Sequence, residues 1–224
     1  MNTRAPTDPA MRGNAALPQV FLRPGAVVVF EGLDKAGKST QLDSLEREAD
    51  PATAVFAHMP SGRGLPGTSR FTEGVYNLLE NHAPTSGLGK QLAHLACHCE
   101  HMPALIDATR SKALVLDRWW WSTLAYGWHA QAVQDSGIAE STFRDLIATV
   151  WRPIQASIVF LFLSAREIDA NNVDGVEHGY REMASTHTGE VHVVPALSKD
   201  ATHDYVVRAL GEAGIATISP SRAR

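Results

Sequence analysis

The chain has 224 residues, 44% of them hydrophobic and 20% charged, with a formal net charge of −4; these values exclude extended disorder, a collagen-like chain and a coiled coil. The length suits one α/β domain with a sizeable core and falls short of two typical ones. No basic block is present to wrap a duplex by bulk charge, although a local basic groove stays open, and the longest apolar run, Ile158 to Leu163, is far below the roughly 18 residues of a membrane span.

In chain order, residues 1–24 carry four prolines and no periodic apolar face, which predicts a flexible leader ahead of a single domain over 25–224. Ala15 to Leu22 is broken by Pro18 and Gln19, so the leader does not have the apolar stretch of a secretory signal. Beyond it, β-branched and apolar runs predict strands at Ala26–Phe30, Thr53–Phe56, Ala113–Leu116, Ser157–Leu163 and Val191–Val194. Helices are predicted at Ser39–Glu48, Ser69–Glu80, Leu88–Ala108, Glu140–Val150, Gly175–Ala184 and Thr202–Ala213. Continuous apolar strands separated by crossover helices predict a parallel sheet covered on both faces. Cys97 and Cys99, the only cysteines, are too close in sequence to meet disulfide geometry easily and fit a reducing cytoplasm.

The first strand runs into Gly32-Leu33-Asp34-Lys35-Ala36-Gly37-Lys38-Ser39-Thr40, which matches G-x-x-x-x-G-K-[ST]. Its glycines let successive backbone N–H groups turn inward around phosphate oxygens, with the positive end of a helix behind them. Lys38 is expected to reach the β and γ phosphates from a solvent-accessible position, and Ser39 to hold Mg²⁺. No Asn-Lys-x-Asp base-reading motif of switch GTPases occurs.

Extended to Phe30-Glu31 on one side and Gln41 on the other, this loop resembles that of thymidylate kinases. Asp117-Arg118-Trp119 followed by Ser122 and Ala125-Tyr126 resembles that family's Asp-Arg-Tyr segment and its continuation, and Pro60-Ser61-Gly62 with Arg70 resembles a divergent form of the segment after its second strand. The resemblance covers roughly 25–214. It implies a P-loop kinase fold with a five-stranded parallel sheet flanked by helices, ATP as donor and Mg²⁺ as cofactor. It also implies catalytic roles for Lys38, Asp117, Arg118 and Lys35, and Mg²⁺ contacts from Ser39 and Asp117. Asp34, Arg70, His98, Arg118 and Tyr126 are the acceptor-binding residues it implies. For Asp117 and Arg118 a strand-end ion pair is the plainer alternative.

Five features stand apart from the family pattern. His98 stands where its base-reading arginine is expected, replacing a guanidinium fork by an imidazole. Gly127 replaces a glutamine, and the lid over Ser164–Glu190 carries only Arg166 and Arg181. Trp119, Trp120, Trp121 and Trp128 cluster beside the Asp-Arg segment, where they either stack a base or polynucleotide or pack a short helix on the sheet. His94, Cys97, His98 and His101 share one helical face, read as a pocket wall, as core packing or as metal ligands; a single straight face cannot wrap four ligands around one ion.

The expected activity is therefore transfer of the γ-phosphate of ATP to a thymine-like acceptor. The departures favour 5-hydroxymethyluracil in DNA, the acceptor of a related group of phage kinases in thymidine hypermodification. The alternative is dTMP, giving dTDP for DNA synthesis, and Asp34 supports it because its family counterpart contacts a free sugar 3′-hydroxyl. An ATP-dependent binding protein without a phosphorylated acceptor is the reading from another class. The expected partners are ATP, a thymine-like nucleotide or modified DNA and, as a candidate, a second copy of the chain; the expected location is the cytoplasm, that of the host if the chain is phage-encoded.

Overall fold

The computed structural model describes residues 19–67, 69–82 and 84–219. At its centre lies β2 (Val27–Gly32), buried at every position. It is joined in parallel by β4 (Ala113–Asp117) on one side and β5 (Ile158–Phe162) on the other. With β3 (Ala54–His58) outside β4 and β6 (Glu190–Val193) outside β5, the sheet has five parallel strands in the order β3-β4-β2-β5-β6. The central strands carry no polar alternation because both faces are covered, as expected for a sheet with helices on each side.

Those helices are α1 (Lys38–Glu48), α2 (Arg70–Asn81), α3 (Gly87–Ser111), α5 (Glu140–Trp151), α6 (Val176–Thr186) and α7 (Lys199–Glu212), each close to its predicted range. Serine side chains set several starts: Ser69, Ser86 and Ser198 accept hydrogen bonds from the N–H groups of Thr72, Gly89 and Ala201. The cap at Ser198 starts α7 ahead of the predicted Thr202. A short helix α4 (Trp120–Leu124) continuing into a π-helical turn, Ala125–His129, has no counterpart in the sequence periodicity. Among the described residues, no helix is long and apolar enough to cross a membrane.

The predicted leader ends earlier than position 24. Gln19–Leu22 forms β1, which pairs antiparallel with β7 (Ala216–Ser219) in a separate two-stranded sheet. Val20 and Leu22 alternate inward and are buried, so a period-two apolar pattern was present beneath the neighbouring Pro18 and Gln19. Residues 1–18 lie outside the described part of the chain.

In the sheet register Phe30 and His58 both stand opposite Asp117, and Gly32 stands opposite Phe162. The loops after these strands therefore gather at the carboxyl end of the sheet, the usual position of a ligand crevice in open α/β folds.

Candidate active site

The loop after β2 is pressed against β5. Gly32 has φ of 127°, and a Cβ there would lie 2.0 Å from the Phe162 carbonyl oxygen, so no side chain fits. The Leu33 N–H donates to that same oxygen at 2.9 Å. Gly37, at φ 95°, turns the chain into the first turn of α1. Lys38, the next residue, folds back into its own loop, donating from Nζ to the carbonyls of Gly32 at 3.0 Å and Leu33 at 2.6 Å. It is only 5% exposed, which corrects the expectation of a solvent-accessible side chain: the loop carbonyls satisfy the ammonium that would otherwise stand in water. Burial is also the main reason its pKa falls to about 8, with Arg118 adding to the effect. Leu33 and Ala36 are buried, while Lys35, Ser39 and Thr40 face solvent; Lys35 sits at the crown with φ of 60°.

Asp117 closes the loop from β4. Its Oδ2 accepts hydrogen bonds from Ser39 Oγ at 2.5 Å and His58 Nδ1 at 3.1 Å, while its buried Oδ1 has no partner. Burial by itself would raise this carboxyl, but the His58 bond, Lys38, the Ser39 bond and Arg118 together hold its pKa below the ordinary value. An ionised, buried oxygen without a donor beside a serine hydroxyl matches what a hard divalent cation and its waters require. The Ser39–Asp117 pair thus fits Mg²⁺. Among the described residues no group of three or more His, Cys, Asp or Glu side chains is arranged to hold a metal ion, and the histidine and cysteine face of α3 is dispersed. His101 Nε2 meets Thr72 Oγ1 and the Ser61 carbonyl, His98 packs on Trp151, and Cys97 is buried.

Arg118 takes a left-handed backbone, φ 73°, at the end of β4. The turn is held from below by Glu31, a fully buried carboxylate that accepts from the N–H groups of Trp119 (2.7 Å) and Ser122 (3.0 Å) and from Ser122 Oγ (2.6 Å). Burial raises the Glu31 pKa, opposed by Arg118 and these hydrogen bonds. The Arg118 guanidinium donates to Ser122 Oγ, pairs with Asp34 and lies over the Tyr126 ring. Burial would weaken its proton affinity, but Tyr180, Asp34, Tyr126 and Glu31 outweigh that, so it stays cationic.

The lid segment closes over the same pair. Asn172 accepts from the Asp34 N–H and donates to the Asp34 carbonyl, both at 2.9 Å; Asn171 donates to the Asp34 carboxylate at 3.3 Å, and the Tyr126 hydroxyl accepts from the Asp34 N–H at 3.0 Å. The segment is poor in arginine, as its sequence indicated, and it reaches the site through asparagines instead. Arg166 reaches the site, donating to the Leu197 carbonyl beside Gly37, whereas Arg181 pairs with Glu177 on the exposed face of α6.

Two cavities flank the loop. One, about 210 Å³, lies between Gly37, Gln41, Arg166 and the Val194–Leu197 segment. The other, about 500 Å³, runs from Asp34 and Arg118 to the wall of α3, under Asn171 and Val173. Its inner end carries Gln91, His94 and His98. Burial lowers the pKa of His94 to about 4 and of His98 to about 3, so both are neutral near pH 7.

Of the expected site residues, Lys38, Ser39, Asp117, Arg118, Asp34, Tyr126 and His98 come together here, with Lys35 on the rim. Arg70 does not. It is exposed on the first turn of α2 and lines neither cavity, because Thr72 and Tyr76 set the inward face and Arg70 falls on the far side of the helix. Trp121 is fully buried among aromatic neighbours and Trp120 and Trp128 are partly buried, all three outside the larger cavity, whereas Trp119 is buried in the core and also lines that cavity. Gln91 was missed by the sequence reading. A Cβ on Gly127 would lie 3.2 Å from Gln91 Cγ, so this glutamine from α3 occupies space that a side chain at 127 would need. Its spacing to His94 and His98, along one helical face, was the available signal.

The family model of thymidylate kinase matches residues 30–186, more than half of the chain. The thymidylate kinase of Desulforudis audaxviator is 25% identical over 187 residues, spanning 77% of this chain and 83% of its own. That of Campylobacter jejuni is 28% identical over 155 residues, 67% of this chain and 76% of its own. Among solved structures, a thymidylate kinase from Ehrlichia chaffeensis superposes with a TM-score of 0.65 at 23% identity, covering 84% of this chain and all of its own. One from Candida albicans gives 0.62 at 16% identity, covering 88% of this chain and 96% of its own.

Proposed function

The chain belongs to the thymidylate kinase family, an ATP-dependent phosphotransferase family, and on that premise we propose that it transfers the γ-phosphate of ATP to the phosphate of free dTMP, giving dTDP. The observation that carries this reading is the 500 Å³ cavity beside the phosphate loop, with Arg118 at one end and neutral hydrogen-bonding side chains at the other. Its volume is that of a small-molecule site, for which roughly 300–1,000 Å³ is usual. Asn171 and Asn172 close it over Asp34. A duplex or strand passing through would need that cover removed, and of the four tryptophans Trp119 alone lines the cavity, a single ring rather than a run of stacking faces. DNA containing 5-hydroxymethyluracil is therefore the weaker acceptor.

In this reading the smaller cavity takes the adenine of ATP and loop residues 32–40 its phosphates. Lys38 exchanges two carbonyl partners for phosphate oxygens, and Lys35 at the crown faces the phosphoryl group in transit. Arg118 orients the acceptor phosphate, whose oxygen attacks the γ-phosphorus as the bond to the leaving β-phosphate oxygen breaks. Ser39 and Asp117 would hold Mg²⁺, which when bound neutralises charge developing on the β and γ oxygens. Gln91, His94 and His98 face the pyrimidine edge with groups that both donate and accept.

Incubation of the full chain with γ-labelled ATP and, separately, dTMP, DNA containing 5-hydroxymethyluracil and thymine DNA tests the assignment. The expected product is labelled dTDP with both DNAs unlabelled. Label entering only the modified DNA would reverse the choice of acceptor, and ATP hydrolysis with no acceptor product would favour a binding protein.

A further inference from the structure

His58 has no role in the transfer described so far, yet it is the second donor to Asp117. It ends β3 directly opposite Asp117 in the register, and its Nδ1 lies 3.1 Å from Asp117 Oδ2. The chain then doubles back. The Gly62 N–H and Ser61 Oγ donate to the His58 carbonyl, and the His58 N–H donates to the Arg63 carbonyl, bringing the Arg63 guanidinium within 2.8 Å of His58 Nε2.

A guanidinium has five donors and no acceptor. The nitrogen it meets must therefore offer a lone pair, which leaves the single imidazole proton on Nδ1, aimed at Asp117. The other acidic group facing Nε2, Asp43, is 4.0 Å away and outside hydrogen-bond range. Arg63 thus selects the tautomer, and the tautomer selects the carboxylate oxygen.

From this geometry we infer that His58, locked as the Nδ1–H tautomer by Arg63, is a positioning residue for Asp117. With Ser39 Oγ and His58 Nδ1 both on Oδ2, that oxygen is saturated and the carboxylate cannot rotate without losing both bonds. Oδ1, buried and without a partner, is the oxygen left to face the cation and its waters. Outer partners of this kind commonly change metal affinity or activity by about 10- to 100-fold when removed. The inference rests on the kinase reading for its catalytic consequence, but the tautomer and the cation affinity can be measured without any acceptor.

Nitrogen-15 NMR of the His58 ring in the unliganded full chain is expected to show the Nδ1–H form, and Arg63→Ala to yield a mixture with Nε2–H. Mn²⁺ binding in the presence of ADP, followed by electron paramagnetic resonance, is expected to weaken about tenfold or more in His58→Leu. His58→Asn, whose amide nitrogen can stand near the position of Nδ1, should recover most of that loss; His58→Gln should not. In turnover, kcat should fall with the KM for acceptor little changed. An Nε2–H ring in the wild-type chain, Mn²⁺ affinity unchanged in folded His58→Leu, or equal losses in the Asn and Gln variants would each overturn the assignment. Failure of wild-type turnover with dTMP would instead count against the proposed acceptor, leaving the tautomer and Mn²⁺ results to decide this one.

Discussion

Lys38 shows how the phosphate loop accommodates its own cation. Its ammonium is buried against two loop carbonyls, and its pKa of about 8 lies low enough for partial deprotonation in mildly alkaline buffer. Phosphate oxygens favour the charged form, so nucleotide binding should raise this value and draw in a proton. Near pH 8 uptake of a fraction of a proton per site is expected, read by calorimetry in buffers of different ionisation enthalpy. Lys38→Met should bind without that uptake. The motif made the lysine legible from sequence; its burial was not, because the carbonyls that satisfy it are brought into place by a loop conformation that depends on the Gly32 contact with Phe162. Arg70 illustrates the opposite case, since a one-dimensional match to the family pattern carries no helical phase.

At the scale of elements, α3 and the lid segment each make a measurable claim. His94 and His98 have folded pKa values of about 4 and about 3, well below the usual histidine value of about 6.5. As pH falls below about 6.5 the unfolded chain takes up protons that the folded chain refuses, so stability is fully present above that pH and declines toward the folded values. For His98 the expected loss by pH 5 is on the order of 1–2 kcal/mol, seen as a falling melting temperature. His98→Leu should flatten that acid slope. In the lid, Asn172→Ala removes both hydrogen bonds to the Asp34 backbone. A stability loss of about 1–2 kcal/mol is expected, with a severalfold rise in the KM for dTMP as the cover loosens; unchanged KM and melting temperature would mean the clasp is incidental.

For the molecule as a whole, the order β3-β4-β2-β5-β6 places the ends of β2, β3, β4 and β5 together, and that is what assembles one site from four distant segments. Local sequence carried the five parallel strands, because runs buried on both faces hold no polar alternation. It carried the phosphate loop as well, because its glycine spacing reports backbone requirements that are themselves local. Asp117, Arg118 and Asp34 were legible through the resemblance of their segments to the thymidylate kinase motifs. Tertiary structure alone decided the rest. The pairing of β1 with β7, the burial of the tryptophans, the clasp of Asn171 and Asn172 on Asp34, and the Arg63–His58–Asp117 relay each join residues whose partners lie on another segment or loop turn. Whether a polar side chain is exposed, paired or locked in one tautomer depends on what the fold sets within about 3 Å of it, a distance that sequence spacing does not encode.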